Sequence, residues 1–393
     1  MLTRLTPPQP DRIMAMVAAY KADDRPGKVD LGVGVYKDAE GRTPVMGAVK
    51  SAEARLLESQ DTKAYVGLLG DLDFVGRMRD VVLGDAVPAD RVIGAQAPGG
   101  TGAIRLILEL IRLAKPDATI WYSDPTWPNH PAMVAHVGLN ARTYRYFDAA
   151  TCEVDAAAML EDLSQVQPDD VVILHGCCHN PTGANPTPET WAALTDMLVE
   201  KGAIPFIDFA YQGFGDGLAE DATAVRAMAA RVPQMFVAAS CSKNFGLYRD
   251  RVGVAMTLIG EGSAPEAVRG AMSMLGRLNH SFPPDHGAKT VEIILADDAL
   301  RASWEAELEA MRTRMLGLRA ELADCLKRET NSDRFEFFRH HRGMFSRLGL
   351  TPEAVEALRR ERGIYLVADS RLNVAGLPAG GIGDLARAIA AVA

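Results

Sequence analysis

The chain has 393 residues, 48% of them hydrophobic, enough for a large buried core and, at ordinary domain size, for two domains. Its 42 basic and 51 acidic residues give a net charge of −9, which argues against a broad basic face for nucleic acid or for an anionic membrane surface. There is no run of eighteen apolar residues and no signal-peptide core near Met1, and five cysteines, an odd number with Cys177 and Cys178 adjacent, make a poor disulfide framework, so the expectation is a soluble, cytoplasmic enzyme with neither nucleic-acid nor membrane partners.

In chain order, the first dozen residues hold three prolines and no periodicity, and they read as a frayed tail or as an arm that docks on a partner. Short apolar runs at Ala118–Tyr122, Val171–His175, Ala203–Phe209, Met235–Ser240 and Val252–Ile259 predict strands buried on both faces. Between them, Gly102–Leu113 and Pro188–Glu200 have helical spacing, with Thr187 as an N-cap for the second. This alternation implies a doubly wound α/β sheet. Residues 302–328 form a long amphipathic pattern suited to a connector. Strand-like pieces follow at 335–338, 344–348 and 363–367, with a helix at 352–361, which together suggest a smaller α+β domain.

Several loops carry residue types with chemical uses. Pro98-Gly99-Gly100-Thr101-Gly102 opens a helix, so its backbone N–H groups and the helix dipole suit an anion; an ordinary glycine turn reads the same way. Neither this segment nor Gly32-Val33-Gly34 completes the dinucleotide fingerprint, which weakens a nicotinamide oxidoreductase reading. Trp127, between two prolines, is held for stacking on a flat ring, although a core position is the commoner outcome. The run from His175 to His179 has a metal-site composition. It is set aside because adjacent cysteines on extended chain point to opposite faces, leaving Asn180 of the following turn as the better candidate. Asp208 ends an apolar strand, where α/β enzymes place ligands, with Tyr211 three residues on; a structural cap is the alternative. Lys243, flanked by Ser242 and Asn244 after another strand, could lose its proton by desolvation and attack a carbonyl, with Arg251 as a second cation; a surface lysine is the default.

Together the strings LGVGVYKD, PGGTGA, DPTWPNH, HGCCHNPTG, IDFAYQGF, SCSKNFGLYRDRVG, FPPDHGA, HRGMFSRLGL and SRLNVAG run from residue 31 to residue 376. They resemble the class I pyridoxal-phosphate aminotransferases of the aspartate and aromatic branch, and most of all the bacterial aromatic amino acid aminotransferases. The resemblance implies a fold type I transferase with a mostly parallel central sheet. Its expected parts are an arm over 1–14, a large cofactor-binding domain over 45–310, and a small α+β domain assembled from 15–44 and 311–393.

The resemblance also implies roles. Lys243 would form the Schiff base with pyridoxal 5′-phosphate and shuttle the proton at the substrate Cα. Asp208 would keep the ring nitrogen protonated, while Tyr211 and Asn180 would contact the ring oxygen and Trp127 would stack on the ring. Gly100, Thr101, Ser240, Ser242 and Arg251 would hold the phosphate. Arg371 would grip the substrate carboxylate, with Gly34 close by. In a homodimer with shared sites, Tyr65 would bind the partner's cofactor phosphate. Arg277, with Ser281 near it, would meet the side-chain carboxylate of a dicarboxylic substrate. No metal is expected. His280 stands where relatives carry tyrosine, which bears on fine substrate preference. The implied reaction is transamination of aromatic and dicarboxylic L-amino acids with 2-oxoglutarate; a strict aspartate aminotransferase is the alternative. A non-catalytic ligand sensor is disfavoured by the presence of Lys243, Asp208, Arg251 and Arg371.

Overall fold

The computed structural model describes residues 2–6, 12–377 and 380–393; the prolines at 7, 8 and 10, on which the reading of an arm rests, lie outside the described residues. A seven-stranded sheet organises the chain. Its strands are β1 (Val92–Pro98), β2 (Thr119–Asp124), β3 (Asn140–Arg145), β4 (Val171–His175), β5 (Ile204–Phe209), β6 (Met235–Ser240) and β7 (Val252–Leu258). The spatial order is β1-β7-β6-β5-β4-β2-β3. β7 runs antiparallel to both its neighbours, and every other pairing is parallel.

Alternate residues of these strands feed two cores, one on each face. Val172, Leu174, Ile207, Phe209 and Val237 enter one, and Val171, Ile173, Phe206, Phe236 and Ala238 enter the other. Burial on both faces is why β4, β6 and β7 are continuous apolar runs. β3 is an edge strand, exposed along most of its length and carrying Arg142 and Arg145, so it has no apolar signature.

The long helix spans Asp298–Thr330, capped by the Asp297 side chain accepting from the Ala299 and Leu300 N–H groups. Trp304, Leu308, Met311 and Met315 pack into the first sheet core, and Leu318, Leu322 and Leu326 into a third core built with Leu31, Phe338, Leu372 and Ile389. One helix thus ties the sheet to the packing unit made from both chain ends. Trp304 also stacks on Phe245 (centroids 4.3 Å apart) and donates from Nε1 to the Asn244 carbonyl at 2.7 Å, which fixes the loop after Lys243.

Two expectations are corrected. The predicted strand at 335–338 is a 3-10 helix, Glu336–Arg339, because Phe335, Phe337 and Phe338 turn into the third core rather than alternate across a sheet. Of 363–367, only Ile364–Tyr365 forms a strand, paired with Val29–Asp30.

Candidate active site

Sheet register assembles the site. Val252 pairs with Pro98 and Gly253 with Ser240, so the end of β1, the end of β6 and the start of β7 share one edge. That row brings together the N-terminus of the helix Gly99–Ala114, the Ser240–Ser242 turn and Arg251. The Ser240 hydroxyl donates to Ser242 Oγ at 3.0 Å, and Arg251 Nη1 donates to Ser242 Oγ at 3.3 Å. Gly99 has φ +70, and a Cβ there would lie 2.5 Å from an Arg251 guanidinium nitrogen, so only glycine permits this approach. No side chain caps the helix start, leaving its first N–H groups for an anion beside a cation and two hydroxyls.

A cavity of about 210 Å³ opens over this edge, lined by Gly34, Gly100, Thr101, Trp127, Asn180, Asp208, Tyr211, Ser240, Ser242, Lys243 and Arg251. These sequence-predicted residues therefore meet in one place. Lys243 lies 5.0 Å from the centre of the Tyr211 ring, and burial, reinforced by the positive charge of Arg251 and opposed by Asp208, pushes its pKa down to about 8. Burial opposes ionisation of Asp208, but the hydrogen bond from His130 and nearby positive charge outweigh it, so its carboxyl sits below the usual range. His130 Nε2 meets Asp208 Oδ2 at 3.0 Å, and its Nδ1 shares a hydrogen bond with the Thr126 hydroxyl at 2.8 Å. Burial raises the Tyr211 phenol.

Arg371 does not line this cavity but reaches its lining through Asn180, and it is 4% exposed. It donates to Asn180 Oδ1 at 3.2 Å and to the Gly32 carbonyl at 2.9 Å, and its guanidinium lies 4.4 Å from the centre of the Phe345 ring. A Cβ at Gly34 would come within 2.9 Å of the same ring.

Tyr65, Arg277 and Ser281 are not brought to this cavity. Tyr65 is 83% exposed and stacks on Phe282, with centroids 4.6 Å apart. Arg277 is exposed, donates to Ser281 Oγ at 2.6 Å and lies over the same Phe282 ring at 5.5 Å. His280 ends the preceding helix, Pro265–Asn279, with its Nε2 buried and without a hydrogen-bond partner.

Sequence reasoning assigns no role to His130, Tyr248 or Phe345. His130 and Phe345 sit inside the motif strings, but their contacts come from β5 and from Arg371, distant in the chain. Tyr248 lines the cavity and its hydroxyl accepts the Tyr36 N–H at 3.0 Å. The reason for separating the adjacent cysteines also fails. Cys178 has φ +52, not an extended value, and the Cys177 and Cys178 thiols lie with an Asp221 carboxylate oxygen, all within 4.8 Å of one another.

The chain is similar to known proteins along nearly all its length. The family described as aminotransferase class I and II matches residues 26–389. The chain is 52% identical to the aromatic-amino-acid aminotransferase of Paracoccus denitrificans over 99% of both chains. It is 44% identical to the aspartate aminotransferase of Escherichia coli K12 over 100% of both. Among solved structures, an aromatic amino acid aminotransferase with 3-indolebutyric acid superposes with a TM-score of 0.97 at 52% identity, covering 100% of both chains. An aromatic-amino-acid aminotransferase from Burkholderia pseudomallei, covalently bound to pyridoxal phosphate, does so at 0.97 and 39% identity, covering 100% of this chain and 99% of that one.

Proposed function

The chain belongs to the class I and II aminotransferases, and from that premise we propose that it moves the amino group between an aromatic or dicarboxylic L-amino acid and 2-oxoglutarate. Pyridoxal 5′-phosphate is the cofactor of this family, and the cavity's donor set fits it: one end offers Arg251, two hydroxyls and free helix N–H groups, the middle Trp127 and Tyr211, and the floor an ionised carboxylate. When bound, the cofactor supplies an electrophilic carbon for amines and an electron-poor ring that stabilises negative charge at the substrate Cα.

The protein's own contributions follow from its residues. Gly100, Thr101, Ser240, Ser242 and Arg251 would hold the phosphate. Asp208, kept ionised with the help of His130, would hold a proton on the ring nitrogen. Asn180 and Tyr211 would donate to the ring oxygen, and Trp127 would cover the ring and exclude water. Lys243, with its pKa lowered to about 8, is suited to attach the cofactor and to take and return the Cα proton. Arg371 would bind the α-carboxylate through its planar fork, close to Gly34.

The single observation that carries the reading is the convergence of Lys243, Asp208 and Arg251 on one cavity at one sheet edge, with Arg371 beside it. The exposed Tyr65 and Arg277 would complete the site of a second subunit, so a homodimer is part of the proposal. The chain divides accordingly into the large domain 45–310 and the small domain of 15–44 and 311–393, with 1–14 as the arm.

The acceptance of aromatic substrates is supported by relatives named aromatic-amino-acid aminotransferases and by a physical argument. A dicarboxylic substrate would pair with Arg277. An aromatic one has no carboxylate there, and a buried unpaired guanidinium is costly. The long, exposed Arg277 side chain can turn to water instead. The test is a visible absorption change on adding phenylalanine, then kcat/KM for phenylalanine and aspartate with 2-oxoglutarate as acceptor. Comparable values are expected. An aspartate preference of several powers of ten would establish the strict aspartate enzyme instead.

A further inference from the structure

We propose that Cys177, Cys178 and Asp221 form a binding site for a thiophilic divalent cation of the zinc and cadmium class, reached through a cleft separate from the cofactor cavity. The cleft has a volume of about 340 Å³ and is bordered by His175, Cys177, Trp191, Asp216 and Asp221; it shares no lining residue with the cofactor cavity.

The donors are already gathered. Both Sγ atoms and an Asp221 oxygen lie within 4.8 Å of one another. Two sulfurs on one ion with bonds of about 2.3 Å can be no more than about 4.6 Å apart, so little movement is needed. The unusual φ of +52 at Cys178 is what turns consecutive side chains toward one another. The Asp221 carboxylate is fixed by three backbone N–H groups, Oδ2 accepting from Gly213 (2.8 Å) and Gly215 (2.9 Å) and Oδ1 from Asp216 (2.8 Å), so Oδ1 keeps lone-pair capacity for an ion. His175 also borders the cleft, but its ligand nitrogen lies within 4.8 Å of the ligand atoms of His130 and Asp208, so the protein ligands of the ion are the two sulfurs and Asp221.

Thiolates prefer soft cations, which selects zinc or cadmium over magnesium or calcium. On binding, two S–H bonds break, two sulfur–metal bonds form, and two protons leave to solvent. A water from the cleft can fill the remaining position. Cys178 lies two residues before Asn180, and its Sγ is 4.0 Å from the Tyr211 carbonyl oxygen, so occupancy would bear on two of the proposed cofactor contacts.

The test titrates the cofactor-loaded enzyme with cadmium chloride and follows the ultraviolet sulfur-to-cadmium charge-transfer band. One saturable site per chain is expected. Cys177→Ser and Cys178→Ser should each weaken binding by more than the roughly 10–100-fold cost of losing an outer-shell partner, while Cys325→Ser, in the third core, should bind as the parent does. Absence of the band, or its persistence in both serine variants, overturns the proposal. If a serine variant does not fold, maleimide labelling of the unaltered enzyme, mapped by mass spectrometry, decides. Cadmium should slow labelling at Cys177 and Cys178, and equal rates with and without the ion overturn the site.

Discussion

Arg371 is 4% exposed and clamped by Asn180, the Gly32 carbonyl and the Phe345 ring, whereas Arg277 lies on the surface, donating to Ser281 and lying over the face of Phe282. The same side chain is thus built once as a fixed fork and once as a movable arm. A fixed fork suits a group that every substrate carries, the α-carboxylate. A movable arm suits a group that only some carry. If the proposed roles hold, the difference teaches that breadth of specificity needs no second pocket, only one cation left without a rigid cradle.

Lys243→Ala sets the floor for both arginines. It should lower transamination of every substrate by at least about 10⁴-fold, the upper end of what one positioned proton-transfer group contributes. Normal turnover in that variant would remove the premise of the comparison. Arg371→Leu should come next, costing about 3–5 kcal/mol in kcat/KM for aromatic and dicarboxylic substrates alike, as when a buried charge loses its partner. Arg277→Leu should cost the dicarboxylates a similar amount and leave phenylalanine much less affected. Equal losses for both classes would mean that Arg277 does not contact the side chain.

Smaller changes sharpen the contrast. Phe345→Leu removes the ring over the Arg371 guanidinium and should cost about 0.5–2 kcal/mol, mainly as a raised KM for all substrates. An effect confined to aromatic substrates would mean that the ring meets their side chains instead. The last expectation concerns pH. The depressed pKa of Lys243 means that its neutral amine appears at lower pH than that of a surface lysine. In the cofactor-free protein, trinitrobenzenesulfonate labelling of Lys243 should therefore rise through about pH 8 and level off, while surface lysines keep rising. A Lys243 profile that follows the surface lysines would contradict a desolvated amine.

The sequence makes the fixed region far easier to read than the movable one. Asp208 lies at the end of one apolar strand and Lys243 three residues after another, a pattern that by itself places them at a sheet edge. Arg371 has no such local signal, and its proposed role rests on resemblance; its clamp joins residues 32, 180, 345 and 371, which only tertiary packing brings together. β1 is interrupted by Gly94 and Gln96, and β3 is exposed, so neither gives a clean apolar run. The thiol pair escapes period-two reasoning because that rule holds only for extended backbone, and Cys178 is not extended. Tyr65 and Arg277 are hardest of all, since their surroundings in one chain are solvent and Phe282.

The most direct measurement of whether the movable arm serves a partner's site is a subunit-mixing assay with aspartate as substrate. Lys243→Ala and Arg277→Ala chains are each nearly inactive on it alone, by the expectations above. In a mixed dimer, one site collects both defects and the other has neither. After random exchange of equal amounts, about a quarter of the sites should be intact, and aspartate activity should return to roughly that fraction of the unaltered enzyme. If the mixture shows no activity above either parent, Arg277 acts within its own chain or not at all, and the proposed division between fixed and shared cations is wrong.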